Sequence, residues 1–163
     1  MDIVELIRYN HAARRRYFQA LANLPWDEVV RPRGASFDSM RNVFLHLTFM
    51  ESRMIHYVIP GMTKDWVQPP FDDFKDMESM KRLMEDVEVR SEAYLKKLTP
   101  KKLSRDVVLP WRRDPPMTAS VENILTMVAL EDIHHYGELI ALLWQAGEEA
   151  PYLSWLQYLA ERT

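Results

Sequence analysis

Four long segments of this chain repeat apolar residues every three to four positions, and each of them stops at a Pro or a Gly. That rhythm places one greasy stripe along a helix and demands that the stripes be buried against one another. The first segment runs from about Ile3 to Leu24 before Pro25, with Ile3, Ile7, Tyr17 and Leu21 on one face. The second starts from a cap at Ser36 or Asp38 and runs to about Ile59 before Pro60, showing Val43, Leu47, Met50 and Met54. The third, about Asp76 to Leu98, aligns Met77, Met80, Met84, Val87 and Tyr94 as core filler and carries no obvious chemistry. The fourth begins near Thr118 or Ser120, both competent caps, and ends with Gly147 at the position that favours a left-handed residue. A short last helix, SWLQYLAER, closes the chain. The expected fold is all-α: an antiparallel four-helix bundle with longer crossover loops and a short C-terminal helix, in one domain over residues 1–163.

The connections read as loops. WDEVVRPRGAS leads out of the first helix, residues Gly61 to Phe74 show no sustained period and suit the cover of a pocket mouth, and Lys101 to Met117 forms at most a short extended stretch, hardly a sheet. Net charge is -3 and the basic residues are scattered, so the electrostatic footprint of a nucleic-acid binder is missing. No apolar run is long enough to span a bilayer, and the first residues lack the order of a signal peptide, which makes a cytoplasmic location without a membrane partner the expectation. Cys is absent, so any metal must be held by His, carboxylate or water, and any thiol must come from outside the protein.

The fourth helix carries the chemistry. In ILTMVALEDIHHYGELIALL the stripe of Ile124, Val128, Leu139 and Leu142 is interrupted by Glu131 and His135, one turn apart and aimed inward. An unpaired buried carboxylate is costly, and a divalent metal satisfies both groups at once. His46 lies about 60° from the centre of the second stripe and is a third inward candidate. A structural alternative, the weaker of the two, stands beside this: inward His are commonly core residues with a satisfied hydrogen bond, and an inward Glu131 has Arg14 across the bundle as a partner. Asn10 and Arg14, on the inner face of the first helix, suit an anionic group of a substrate, unless Arg14 snorkels outward or balances Glu131. His134 reads as a flank residue or a donor behind the ligands, and Glu138 as a ligand-orienting or surface carboxylate. His11 and His56 lie off their stripes and are expected in solvent; the two Arg of WRRDPP suit either solvent or an anionic partner.

YNHAARRRYFQAL, SFDSMRNVFLHLTFMES and EDIHHYGEL, in this order along nearly the whole chain, together resemble the DinB/YfiT-like superfamily of metal-binding bundles. The resemblance implies a divalent metal held by a helix-two His and by two further residues on the last long helix. His46 and His135, in HHYG, match two of these positions, and Glu131 stands where the family commonly has a third His. A His, Glu, His set suits Zn, Ni, Mn or Fe, although the carboxylate makes a bound water less acidic than three imidazoles would. The resemblance further implies a metal-dependent enzyme acting on a small-molecule ligand, of thiol-dependent S-transferase or hydrolase type, using an external low-molecular-weight thiol. No catalytic residue is assigned. The alternative, of another class, is a non-catalytic stress-associated bundle that binds a metal or ligand and self-associates. On either reading the resemblance implies a homodimer, for which Trp155 and Tyr158 on the final helix suit the contact.

Overall fold

The computed structural model describes residues 2–111 and 114–162. Its long helices are α1 (Ile3–Ala22), α3 (Met40–Arg53), α4 (Met77–Leu95) and α6 (Val121–Gln145); the short ones are α2 (Trp26–Val30), α5 (Pro100–Leu103) and α7 (Trp155–Ala160). Each long helix opens on a side chain that accepts a hydrogen bond from a free backbone N–H: Asp2, Ser39, Asp76 and Ser120. The cap of α3 is therefore Ser39, not Ser36 or Asp38. Asp38 instead adopts φ 72° in the tight turn that Ala35 and Asp38 bridge just before the helix. A π-helical turn, Met54–Val58, carries α3 on to Gly61, and Gly147 with φ 76° ends α6.

Two expectations about the connections are corrected. WDEVV coils into α2 because Pro25 presets the helical entry and Asp27 and Glu28 suit its first turn. Strand β1 (Asp106–Val108) pairs antiparallel with β2 (Thr118–Ser120), so the extended stretch does close a two-stranded sheet, small enough to escape any alternation rule.

The four long helices pack in the cyclic order α1, α6, α3, α4. Their apolar residues form two clusters. One contains Tyr17 and Leu21 of α1, Phe44 and Leu47 of α3, Met80 and Met84 of α4, and Leu139 and Leu143 of α6. The other contains Ile3 and Ile7, Met54 and Ile55, Leu95, and Leu125 and Val128. Chain direction follows from that order. Helices α1 and α6 run one way, α3 and α4 the other, because the crossover after Ile59 returns along the fold before α4 begins. Strict up-and-down alternation is thus not observed: α1 with α4 and α3 with α6 are antiparallel neighbours, and α3 with α4 are parallel.

Between the clusters every long helix contributes buried polar groups at the same level: Asn10, His11 and Arg14 on α1, Glu51 and Ser52 on α3, Glu88 and Ser91 on α4, and Asp132 and His135 on α6. The third long helix, expected to be core filler, therefore also supplies polar groups to this layer. Among the described residues no helix is long and apolar enough to cross a membrane.

Candidate metal centre

The polar layer fixes how α3 and α6 face each other. Arg14 is fully enclosed; its Nη1 lies 2.7 Å from Glu51 Oε2 and its Nη2 donates to Asp132 Oδ2 at 2.8 Å. His11 Nε2 meets the other oxygen of Glu51 at 2.8 Å. Burial works against the Glu51 charge, but His11 and Arg14 outweigh it and hold its carboxyl below the ordinary range. At Asp132 burial, together with the nearby Glu51 charge, outweighs Arg14 and His11 and pushes the carboxyl up to about 6. Asn10 donates to the Ala129 carbonyl at 3.0 Å, and the Tyr136 hydroxyl donates to the Asn10 carbonyl at 2.8 Å.

Several expectations fall here. Asn10 and Arg14, expected at a substrate's anionic group, are enclosed, and each holds a protein partner: Asn10 the Ala129 carbonyl and Arg14 the Asp132 carboxylate. Arg14 balances Asp132 and Glu51, not Glu131, because Asp132 continues the inner row of Ile124 and Val128 at four-residue steps. His11 is buried on Glu51, and His56 is half-buried between the Ser52 and Ser91 hydroxyls at 3.3 and 3.1 Å; neither is solvated. Arg112 and Arg113 lie outside the described residues.

At the edge of this layer α3 presents His46 and α6 presents Glu131 and His135. One donor atom from each lies within 4.8 Å of the other two, and no other His, Asp or Glu cluster of this kind occurs among the described residues. The rings of His46 and His135 meet edge to face, with centroids 4.9 Å apart. His135 Nε2 lies 3.6 Å from Glu131 Oε2, and the Glu131 side chain keeps 40% of its exposure, which leaves the site an open side. Burial, reinforced by His135 alongside, pulls the His46 pKa down to about 4, so its imidazole is neutral at neutral pH and has a lone pair to give. Two imidazole nitrogens and one carboxylate oxygen converging from facing helices are a donor set that fits a borderline divalent ion.

A turn before α3 touches both rings. Ser36 donates to Glu138 through its N–H at 2.6 Å and through its hydroxyl at 2.8 Å, and Glu138 Oε2 lies 2.8 Å from His135 Nδ1. Burial disfavours the Glu138 charge, yet these hydrogen bonds hold its pKa below the usual value. Phe37 stacks on His46 at 3.9 Å between centroids and 20° between planes. Glu138 is thus the carboxylate behind His135, while His134 is exposed on the flank. Phe37 and Glu51 were not singled out by the sequence; Glu51 had a signal, the inner row Val43, Leu47, Glu51, whereas Phe37 sits in a loop without a period. Trp155 and Tyr158 pack on Tyr9 of their own chain, at 5.5 and 5.6 Å between centroids, instead of standing free for a dimer contact.

No curated protein matches the chain. A crystal structure of a DinB-like protein from Bacillus cereus ATCC 10987 superposes with a TM-score of 0.69 at 17% identity, covering 93% of this chain and 95% of that one. The likeness lies in the fold. The sequence model of the DinB family matches residues 1–162, and the chain belongs to the DinB family.

Proposed function

We propose that the four helices act as a bundle that holds one divalent metal ion, Zn, Ni, Mn or Fe, on His46, Glu131 and His135, and that the protein is a metal-dependent enzyme of small molecules. The observation that carries this reading is the convergence of the three donor atoms within 4.8 Å on one open side of the polar layer. A metal bound there supplies Lewis acidity, which makes a water or an external thiol a nucleophile near neutral pH. The reaction class is thiol-dependent S-transfer or hydrolysis. The chain has no Cys, so in the first case the thiol is a second substrate. Its own residues orient the donors: Glu138 sets which nitrogen of His135 is free, Phe37 fixes the plane of His46, and the Arg14 ion pairs hold α3 and α6 in register.

A second reading rests on the Glu138 contact at 2.8 Å on His135 Nδ1 and the Glu131 carboxylate 3.6 Å from its Nε2, which give His135 acidic neighbours of its own chain on both ring nitrogens. On that reading the bundle is non-catalytic. Elemental analysis of the untagged protein beside His46→Ala and Glu131→Ala distinguishes them. Near-stoichiometric metal lost in both variants supports the first; no metal in the wild type, even after incubation with Zn, Ni or Mn, overturns it. Metal-dependent transfer of a thiol to a model electrophile then tests the chemistry, and a rate indifferent to metal rejects it.

A further inference from the structure

Helices α1 and α4 touch each other least among the four neighbouring pairs of the bundle, and a groove of about 1190 Å³ opens between them. Ala12 and Ala93 line it with only a methyl group each, and side chains this small leave the space between the two helix faces unfilled. The groove exceeds the roughly 300–1,000 Å³ of a compact small-molecule site. It follows α4 from Met84 to the cap residue Lys96, a length of about 18 Å. A ligand that fills it is long, not compact.

Its two ends differ. One end is lined by the cations Arg8, Lys96, Lys97 and Arg162. The carboxylates that answer them are Glu92, 2.8 Å from Arg8 and 3.9 Å from Lys96, and Glu5, which pairs with Arg162. Lys97 has no ion pair among the described residues, and the Lys102 ammonium, 2.7 Å from the Lys97 carbonyl, brings a further charge beside it. Positive charge is thus in surplus at this end of a chain whose net charge is -3. In the middle Glu88 is buried beneath Arg15, with its Oε2 2.7 Å from Nε and 2.6 Å from Nη2. Beyond it the lining turns apolar: Val89, which keeps 70% of its exposure, then Phe18 and Met84, with Lys81 and Glu85 facing each other at 3.9 Å on the rim.

We propose that this groove binds one long-chain carboxylate of the fatty-acid class, its head between Lys96 and Lys97 and its tail laid past Val89 towards Phe18 and Met84. The charge pattern fixes the direction. Only the lysine end offers cations in excess of their own carboxylates, whereas Glu88 and Glu85 repel an anionic head placed further along. The tail gains by covering Val89 and Phe18, and each methylene taken out of water adds to the affinity, so chain length sets it. A small anion satisfies the lysines but leaves the apolar stretch in water. A cationic amphiphile covers the stretch but meets like charge at the head. The groove lies across the bundle from the α3 and α6 faces that carry His46, Glu131 and His135, so the proposal does not depend on the metal reading.

Titration calorimetry of the full untagged chain with palmitate below its micelle concentration is the test, beside octanoate and hexadecyltrimethylammonium. We expect saturable binding of one palmitate per chain, binding of octanoate at least about tenfold weaker, and none of the cationic amphiphile. The double variant Lys96→Glu with Lys97→Glu reverses the head site, and Val89→Asp puts a charge under the tail. Both change exposed side chains, so helical circular dichroism should stay as it is while each weakens palmitate at least about tenfold. Absence of saturable palmitate binding overturns the proposal. So does a cationic amphiphile that binds as tightly as palmitate, an affinity that ignores both variants, or attachment to phosphatidylglycerol vesicles without binding of free palmitate.

Discussion

Glu138 Oε2 lies 2.8 Å from Nδ1 of His135, three residues back on the same helix. An ionised carboxylate only accepts, so Nδ1 is the nitrogen that donates to Glu138, and the ring turns Nε2 towards Glu131, 3.6 Å away. Ser36 in turn donates twice to Glu138, which ties the tautomer of a ring on α6 to a turn that precedes α3.

Glu138→Ala is therefore expected to weaken metal affinity about 10–100-fold while leaving the fold intact. Competition against a chromophoric chelator measures it, with His46→Ala as the reference for loss of a direct donor. An affinity equal to that of the wild type would mean that Glu138 does not orient His135.

Arg14 has no route to water and serves two carboxylates. Arg14→Met leaves Glu51 and Asp132 buried beside each other, at an expected cost of about 3–5 kcal/mol. Asp132→Asn removes less, because Glu51 remains as the counter-ion. Urea denaturation at neutral pH checks the order; a loss below about 1 kcal/mol for Arg14→Met would show that the layer tolerates a missing cation.

The sequence displays the long helices well because each has a cap of the strongest kind and a stripe of regular period. It displays the polar layer poorly. Glu51 and Asp132 occupy the same rows as Leu47 and Val128, yet an acid on a greasy row looks like the edge of the row until its counter-ion, on another helix, is known. Arg14 was legible as inward but not its partners, since pairing of side chains 118 residues apart is decided by tertiary contact. His46, Glu131 and His135 were legible as a set because Glu131 and His135 interrupt one stripe a turn apart and His46 lies towards the edge of another. The reversal of α4 was not, because a crossover of irregular residues carries no sign of its direction.

His56 supplies a pH dependence. Burial, assisted by the nearby Arg90 charge, pulls its pKa down to about 4. The unfolded chain takes up a proton below about 6.5 that the folded chain refuses, so the stability it contributes is present above that pH and is lost as pH falls towards 4. His46 acts in the same direction. Asp132, raised to about 6, acts oppositely: its contribution is present at low pH and lost as pH rises through 6. His56→Gln should thus flatten the fall in stability between pH 7 and 5 by about 1 kcal/mol, after allowance for its partial exposure. Urea midpoints at the two pH values give the difference, and an unchanged slope would reject the assignment to His56.

Gly137→Ala tests whether the middle of α6 needs its glycine. The substitution introduces no contact closer than 4 Å and replaces a residue that costs about 0.5–1 kcal/mol in a helix interior, so it should stabilise the fold by that amount. Urea denaturation measures the gain, and a loss of stability would show that the position does not accept a Cβ.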